Sequence, residues 1–216
     1  MAIDVLSRGS DGYEANRGAF NVLLSQDPVG IVTPAGAAQV VGAVEYAQAE
    51  GLRIGAQRTG HAASFEVCAV AEVDGELAGV IAWFPVSEGD ERARRFVSLT
   101  APRVPPWRWP GLLRHLRAAG TVSPNPPARM LYVDALAVDP SFRRRGVARA
   151  LLERAERAAI EHRLDGVALD TGLHNEAARA LYEATGFSER EIRRAPSAHV
   201  ADAIGGPGFV SYLKRL

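Results

Sequence analysis

Apolar residues recur along this chain in two rhythms. From Phe65 they alternate: "FEVCAVAEV" and "LAGVIAWFP" flank Asp74-Gly75-Glu76, and an Asp-Gly pair favours a tight hairpin turn. "RMLYVDALAVDP" (129–140) carries the strongest strand pattern and stops at Asp139-Pro140. "DGVALDTG", "SEREIRRAP" and "GFVSYLKRL" predict three further strands, the last two joined by a loop, "SAHVADAIGGPG". The rhythm turns helical from about Gly146 to His162. There Val147, Leu151, Leu152, Ala155, Ala158 and Ala159 line one face, while Arg149, Glu153, Arg154, Glu156 and Arg157 form a solvated face. Glu153 stands four residues before Arg157, the better orientation for a surface ion pair. "NEAARALYEATGF" predicts a shorter helix with Gly186 as its C′ residue.

Two stretches are less regular. Residues 86–129 read as irregular and rich in Pro and Arg, with one short helix, "WRWPGLLRHLRAAG", ending at Gly120; Trp107 and Trp109 are expected to pack. Residues 1–18 are polar and read as loose or weakly helical. "PVGIVTP" (28–34) predicts a short strand, Val40, Val41, Val44 and Ala47 a helix stopped by Gly51, and "LRIGAQR" a second strand. From Phe65 the order is β-β-α-β-α-β-α-β-β. With only two clear β-α-β units, the fold class is α/β (α+β) with a mixed central sheet, preceded by an atypical strand-helix-strand segment.

Composition narrows the function classes. At 216 residues, the chain suits one sizeable domain, alone or with an appendage. Lys+Arg 25 balances Asp+Glu 25, so the whole-chain field favours neither nucleic acid nor an anionic membrane as partner. The single cysteine, Cys68, rules out an internal disulfide framework and a cysteine zinc site; lying in an apolar run, it is expected to be a small buried hydrophobe. The N-terminus lacks a sustained apolar core and no run approaches the roughly 20 residues of a membrane span, so a cytoplasmic protein is expected.

The chemistry concentrates in "LAVDPSFRRRGVARALL". A strand ends, three arginines and a glycine follow, and a helix begins at once. The first amides of a helix lack intrahelical partners and lie at the positive end of its dipole. Gly146 lets backbone approach an anion, and Arg143, Arg144 and Arg145 add charge. The stretch reads as a pyrophosphate cradle or as a solvated basic loop.

Arg143-Arg144-Arg145-Gly146-Val147-Ala148 resembles the Arg/Gln-x-x-Gly-x-Gly/Ala signature of the GNAT superfamily of acyl-CoA-dependent N-acyltransferases. "LYVDALAVDPSF" upstream and "LDTGLHNEAARALYEATGF" downstream extend the resemblance over about residues 64–216. The resemblance implies acetyl-CoA as cosubstrate, its pyrophosphate cradled by backbone amides from Arg144 to Arg149, Gly146, Val147 and Ala148 among them, with Arg143 beside it. It implies that Leu136, Ala137 and Val138 pair with the pantetheine arm and polarise the acetyl carbonyl. Strand 131–138 and "GVALDTG" would splay apart to admit the thioester. Asn175, with Ala178 after it in the same motif, would touch the pantetheine, and Tyr182 would face the sulfur.

An acceptor amine attacks such a thioester directly, without an enzyme nucleophile. Tyr182 could protonate the departing thiolate. Asp134 is the expected base, with Tyr132 and Asp170 as alternatives. His174 reads equally as a helix-entry residue or a substrate contact. Residues 86–129 and 197–208 are expected to wall the acceptor site, without naming the amine.

Residues 12–64 resemble something else: the start of an FAD-linked oxidase of the vanillyl-alcohol-oxidase type. "P-x-x-IV-x-P" and the "QRTGHA" loop carry the likeness, and His61 matches a histidine that often holds FAD covalently. Arg58 departs from the glycine of that loop, and the match stops at about Ser64. FAD is not expected to bind, because one strand-helix-strand unit cannot enclose it. The expected division is therefore an atypical segment, 1–63, packing on or completing the sheet of an acetyltransferase domain, 64–216. Such a first third also gives the chain a reason to form a homodimer. Besides N-acetyl transfer, a noncatalytic acyl-CoA-binding domain and a flavin module are the readings to separate.

Overall fold

The computed structural model describes residues 5–7, 30–32, 60–62, 64–101 and 104–216. By their contacts the residues form two units, one of 1–57 with 72–77 and the other of 58–71 with 78–216. Within the first, Val5–Ser7 (β1) and Gly30–Val32 (β2) pair antiparallel, Leu6 opposite Ile31. The strand expected at 28–34 is present, and its partner lies in the stretch read as loose or helical. Three residues are too few to show an alternation against polar neighbours. The helix expected after Pro34 and the strand at "LRIGAQR" lie outside the described residues.

Alternation from Cys68 onward is realised as a six-stranded sheet. Its strands are Cys68–Val73 (β3), Glu76–Pro85 (β4), Leu131–Val138 (β5), Gly166–Gly172 (β6), Ser188–Arg194 (β7) and Gly208–Arg215 (β8), in the spatial order β3-β4-β5-β6-β8-β7. β5 and β6 run parallel, while β4–β5, β6–β8 and β7–β8 are antiparallel, so the sheet is mixed as expected. Asp74 (φ 55°) and Gly75 (φ 82°) close the β3–β4 turn in the left-handed geometry a two-residue hairpin needs.

Five helices accompany the sheet among the described residues: Gly89–Thr100 (α1), Trp109–Gly120 (α2), Val147–Glu161 (α3), Glu176–Ala184 (α4) and Ala198–Ile204 (α5). The buried face of α3 consists of the six residues its periodicity named, with Leu152, Ala155 and Ala159 fully enclosed against β5 and β6. Gly79 on β4 makes this approach close. A Cβ there would come within 2.9 Å of the Ala137 carbonyl and 3.1 Å of both Val147 and Leu151. Of the residues read as its solvated face, Arg149, Glu153 and Arg157 are exposed, while Glu156 is half-buried and pairs with Lys214 of β8 at 2.6 Å. No helix of the described residues is long and apolar enough to cross a membrane.

Several expectations change. α1 lies in the stretch read as irregular. Asp90 and Glu91 favour its positive N-terminal end, and Arg92 pairs with Glu88 at 2.7 Å, so local charge rather than apolar period forms it. α5 occupies the stretch read as a loop, with Ser197 capping the Val200 amide at 3.3 Å and Gly205 (φ 77°) ending it. Cys68 is exposed on the edge strand β3 rather than buried, its thiol directed to the Ser64 carbonyl at 3.4 Å. Trp107 is 78% exposed and Trp109 39%, because α2 turns Leu112, His115 and Ala118 inward instead.

Candidate active site

The site is organised along β5. On one side β5 follows β4 to its end, with Leu136 opposite Ile81, Ala137 opposite Val80 and Val138 opposite Gly79. On the other side its parallel ladder with β6 runs only from Leu131–Val167 to Val133–Leu169. Beyond that point the two strands part, which leaves the β6-facing edge of Leu136, Ala137 and Val138 off the ladder. The expected splay is therefore present. A bulge marks its apex: Ala82 faces Ala135 and Trp83 faces Val133, so Asp134 is the extra residue. Bulges re-aim side chains, and this one turns Asp134 into a cleft of about 330 Å³.

Asp134 shares that cleft with Tyr132, Asp170, Arg193 and His115, against an apolar wall that includes Val122, Ile204 and Phe209. The Asp134 carboxylate is open to the cleft, yet the protein around it raises its pKa above the usual carboxylate value by desolvation. His115 is pushed down for the same reason, toward the neutral ring. The two alternative bases are committed elsewhere. Asp170 accepts hydrogen bonds from Arg193, from Ser211 at 2.5 Å and from the Tyr132 hydroxyl at 3.3 Å. Tyr132 is itself pushed up strongly by burial and by Asp170.

At the far end of β5 the chain forms the arginine loop. Asp139 accepts from the Ser141 amide at 2.8 Å and from the Ser141 hydroxyl, which hold its pKa below the ordinary carboxylate range. Arg143, Arg144 and Arg145 are exposed, with Arg145 stacked 5.1 Å over Phe142. Arg144 (φ 63°) and Gly146 (φ 84°) both take the left-handed backbone. A Cβ on Gly146 would meet nothing within 4 Å, so conformation rather than space calls for glycine there. The chain then enters α3, presenting the amides of Val147, Ala148 and Arg149 in its first turn. These residues fit an anionic group at the helix start.

The second expected element is α4. Asn175 is its N-cap, accepting from the Ala178 amide at 3.2 Å, so its carboxamide oxygen is engaged in the cap. Tyr182 is 7% exposed, its ring 6.0 Å from Phe187 and 5.6 Å from Tyr212. Burial, with Tyr212 beside it, pushes its phenol up to about 12. The Tyr212 hydroxyl donates to Glu183 at 2.9 Å and accepts from Arg179 at 3.3 Å. His174 lies against Gly172 and Gly206, where added Cβ atoms would come within 2.9 and 2.8 Å of its ring. His61, the residue matched to a flavin anchor, is buried 6.0 Å from the Phe96 ring.

The structure thus brings Asp134, Tyr132 and Asp170 to one cleft and the arginine loop to the end of the same strand, with Asn175, Ala178 and Tyr182 on α4. Sequence reasoning missed His115 and Arg193. The signal for His115 was its place on the inward stripe of α2 with Leu112 and Ala118. Arg193 carried no such signal, because β7 reads as a charged, mostly exposed strand.

Comparison with known proteins places these features in context. A family model described as the acetyltransferase (GNAT) family matches residues 44–187. The [ribosomal protein bS18]-alanine N-acetyltransferase of Escherichia coli (strain K12) is 42% identical over 59 residues, 27% of this chain and 40% of that protein. N-alpha-acetyltransferase 30 of Xenopus laevis is 41% identical over 56 residues, 26% of this chain and 20% of that protein. The chain therefore spans well under half the length of the curated relatives it matches. An N-acetyltransferase structure from Staphylococcus aureus Mu50 superposes with a TM-score of 0.51 at 15% identity, covering 71% of this chain and 73% of that one. A second acetyltransferase structure gives a TM-score of 0.50 at 19% identity, covering 72% and 73%. At these identities the likeness is one of fold.

Proposed function

The chain belongs to the acetyltransferase (GNAT) family, and from that membership we propose that it transfers the acetyl group of acetyl-CoA to a primary amine by direct attack in a ternary complex. The observation that carries this reading is the layout along β5. The bulged Asp134 lies mid-strand where the β6 ladder ends, the splay runs on to Val138, and the Arg143–Gly146 loop follows that end of the strand. A long, bent thioester substrate needs that sequence of features: an anion cradle, an unpaired strand edge and an acceptor cleft.

In this reading, backbone from Arg143 to Arg149 holds the pyrophosphate, helped by the first amides of α3. The free edge of Leu136, Ala137 and Val138 aligns the pantetheine arm and donates toward the acetyl oxygen as it gains charge. Asn175 and Ala178 border the same arm at the start of α4. The amine nitrogen attacks the carbonyl carbon, the nitrogen's proton passes to Asp134 directly or through water, and the carbon–sulfur bond breaks. The thiolate takes a proton from Tyr182, which its buried site keeps protonated. Of the three carboxyl and phenol groups weighed as base, Asp134 is the one outside the Arg193 network.

Replacing Tyr182 by phenylalanine tests the assignment while keeping the ring packing. Turnover should fall by about tenfold to a hundredfold, the range of one general acid, while the acetyl-CoA Kd stays within about twofold. An unchanged kcat would remove Tyr182 from the chemistry.

A further inference from the structure

We propose that the acceptor is a singly charged amine on an apolar body, and that Arg193 sets this preference by cancelling the charge of Asp170 in the cleft wall. The inference rests on the acetyl-transfer reading and concerns which amine that site takes. Two carboxylates, Asp134 and Asp170, and one guanidinium, Arg193, face the cleft. Asp170 and Arg193 form an ion pair with both side chains only 11% exposed.

The guanidinium is held through all three of its nitrogens. Its Nη2 donates to Asp170, its Nη1 to the Ser211 hydroxyl at 2.6 Å and to Glu191 at 3.4 Å, and its Nε to the Val122 carbonyl at 3.0 Å. Its charge is already met by Asp170, which leaves little attraction for a carboxylate on the acceptor. Asp170 accepts from Arg193, Ser211 and Tyr132, and the guanidinium meets its charge, so it offers little to an acceptor ammonium.

Asp134 remains. Among the described residues no cation pairs with it, and the bulge directs it into the same space. The cleft therefore offers one net negative charge at a single point. Around it lie Ala119, Val122, Pro124, Ile204 and Phe209, which suit an apolar body. At about 330 Å³ the cleft admits an amine with a short side chain. A free amino acid brings a carboxylate with no partner, and a diamine brings a second cation with none. Leaving such a group unpaired in a partly desolvated site is strongly disfavoured.

Acetyl transfer by the 216-residue chain to alanine amide, free alanine and 1,4-diaminobutane tests the assignment, with kcat/KM measured for each. Alanine amide should exceed the other two by at least about tenfold. Arg193→Gln uncovers Asp170 and should raise the diaminobutane-to-amide ratio by about tenfold or more; Arg193→Lys should keep the wild-type ratio. Asp170→Asn uncovers Arg193 and should shift preference toward free alanine.

The double variant Asp170→Asn/Arg193→Gln is neutral again and should recover the wild-type order, which keeps the proposal open to refutation even where a single variant fails to fold. Equal use of the three amines by the wild type, or an unmoved ratio in folded Arg193→Gln, overturns the charge assignment alone. Transfer to no amine by protein that binds acetyl-CoA overturns the acetyl-transfer reading and this inference with it.

Discussion

At Tyr182 a phenol is kept protonated by burial against Tyr212 and Phe187, and at Asp134 a carboxyl is kept basic by the same physics in an open cleft. At Asp134 the raised pKa has opposite consequences for stability and rate. A carboxyl with a raised folded-state pKa costs stability once pH rises through that value, since the folded protein must then carry a poorly solvated charge. Asp134→Asn removes that charge. It should therefore raise Tm at pH 7, leave it unchanged near pH 3, and lower kcat/KM. The acid limb of kcat/KM assigned to Asp134 should lie above the ordinary carboxylate value and vanish in the variant. Equal Tm gains at both pH values would show that the charge is not the cause. The cleft position of Asp134 and the place of Tyr182 on its helix follow recognisable local patterns in the sequence. Arg193 follows none, since its role comes from partners 23 residues away at Asp170 and 71 away at Val122.

At the scale of elements, the seat of α3 shapes the loop proposed to cradle the pyrophosphate. Gly79 lets the helix settle on β4, and Gly146 supplies the left-handed turn into it. Gly146→Val forces a β-branched residue into that conformation, at a cost of roughly 1–2 kcal/mol or more. It should weaken acetyl-CoA binding at least fivefold by calorimetry while the chain remains folded. Retained affinity would place the pyrophosphate elsewhere. Leu152→Ala, in contrast, opens the fully buried face of α3. It should cost about 2–5 kcal/mol of global stability in denaturant unfolding, and a loss under about 1 kcal/mol would contradict the packing. The strands and α3 were readable because their periodicities are long. α1 and α5 escaped because charge pairing and caps, rather than apolar period, hold short helices together.

For the whole molecule, the family match over residues 44–187 and the sheet order account for the fold that carries the site. The first third of the chain adds a β1–β2 ribbon to what the sequence implied. His61, the residue matched to a flavin anchor, is buried with its ring 6.0 Å from that of Phe96. We therefore expect the purified protein to show no flavin absorbance near 450 nm; a stoichiometric flavin spectrum would reverse that expectation. Amine-dependent release of free thiol from acetyl-CoA measures the proposed acetyl transfer most directly. The protein should release thiol in step with N-acetylation of alanine amide, and Tyr182→Phe should slow both together. Binding of acetyl-CoA with no thiol released across a panel of amines would contradict the account and leave a noncatalytic acyl-CoA-binding protein in its place.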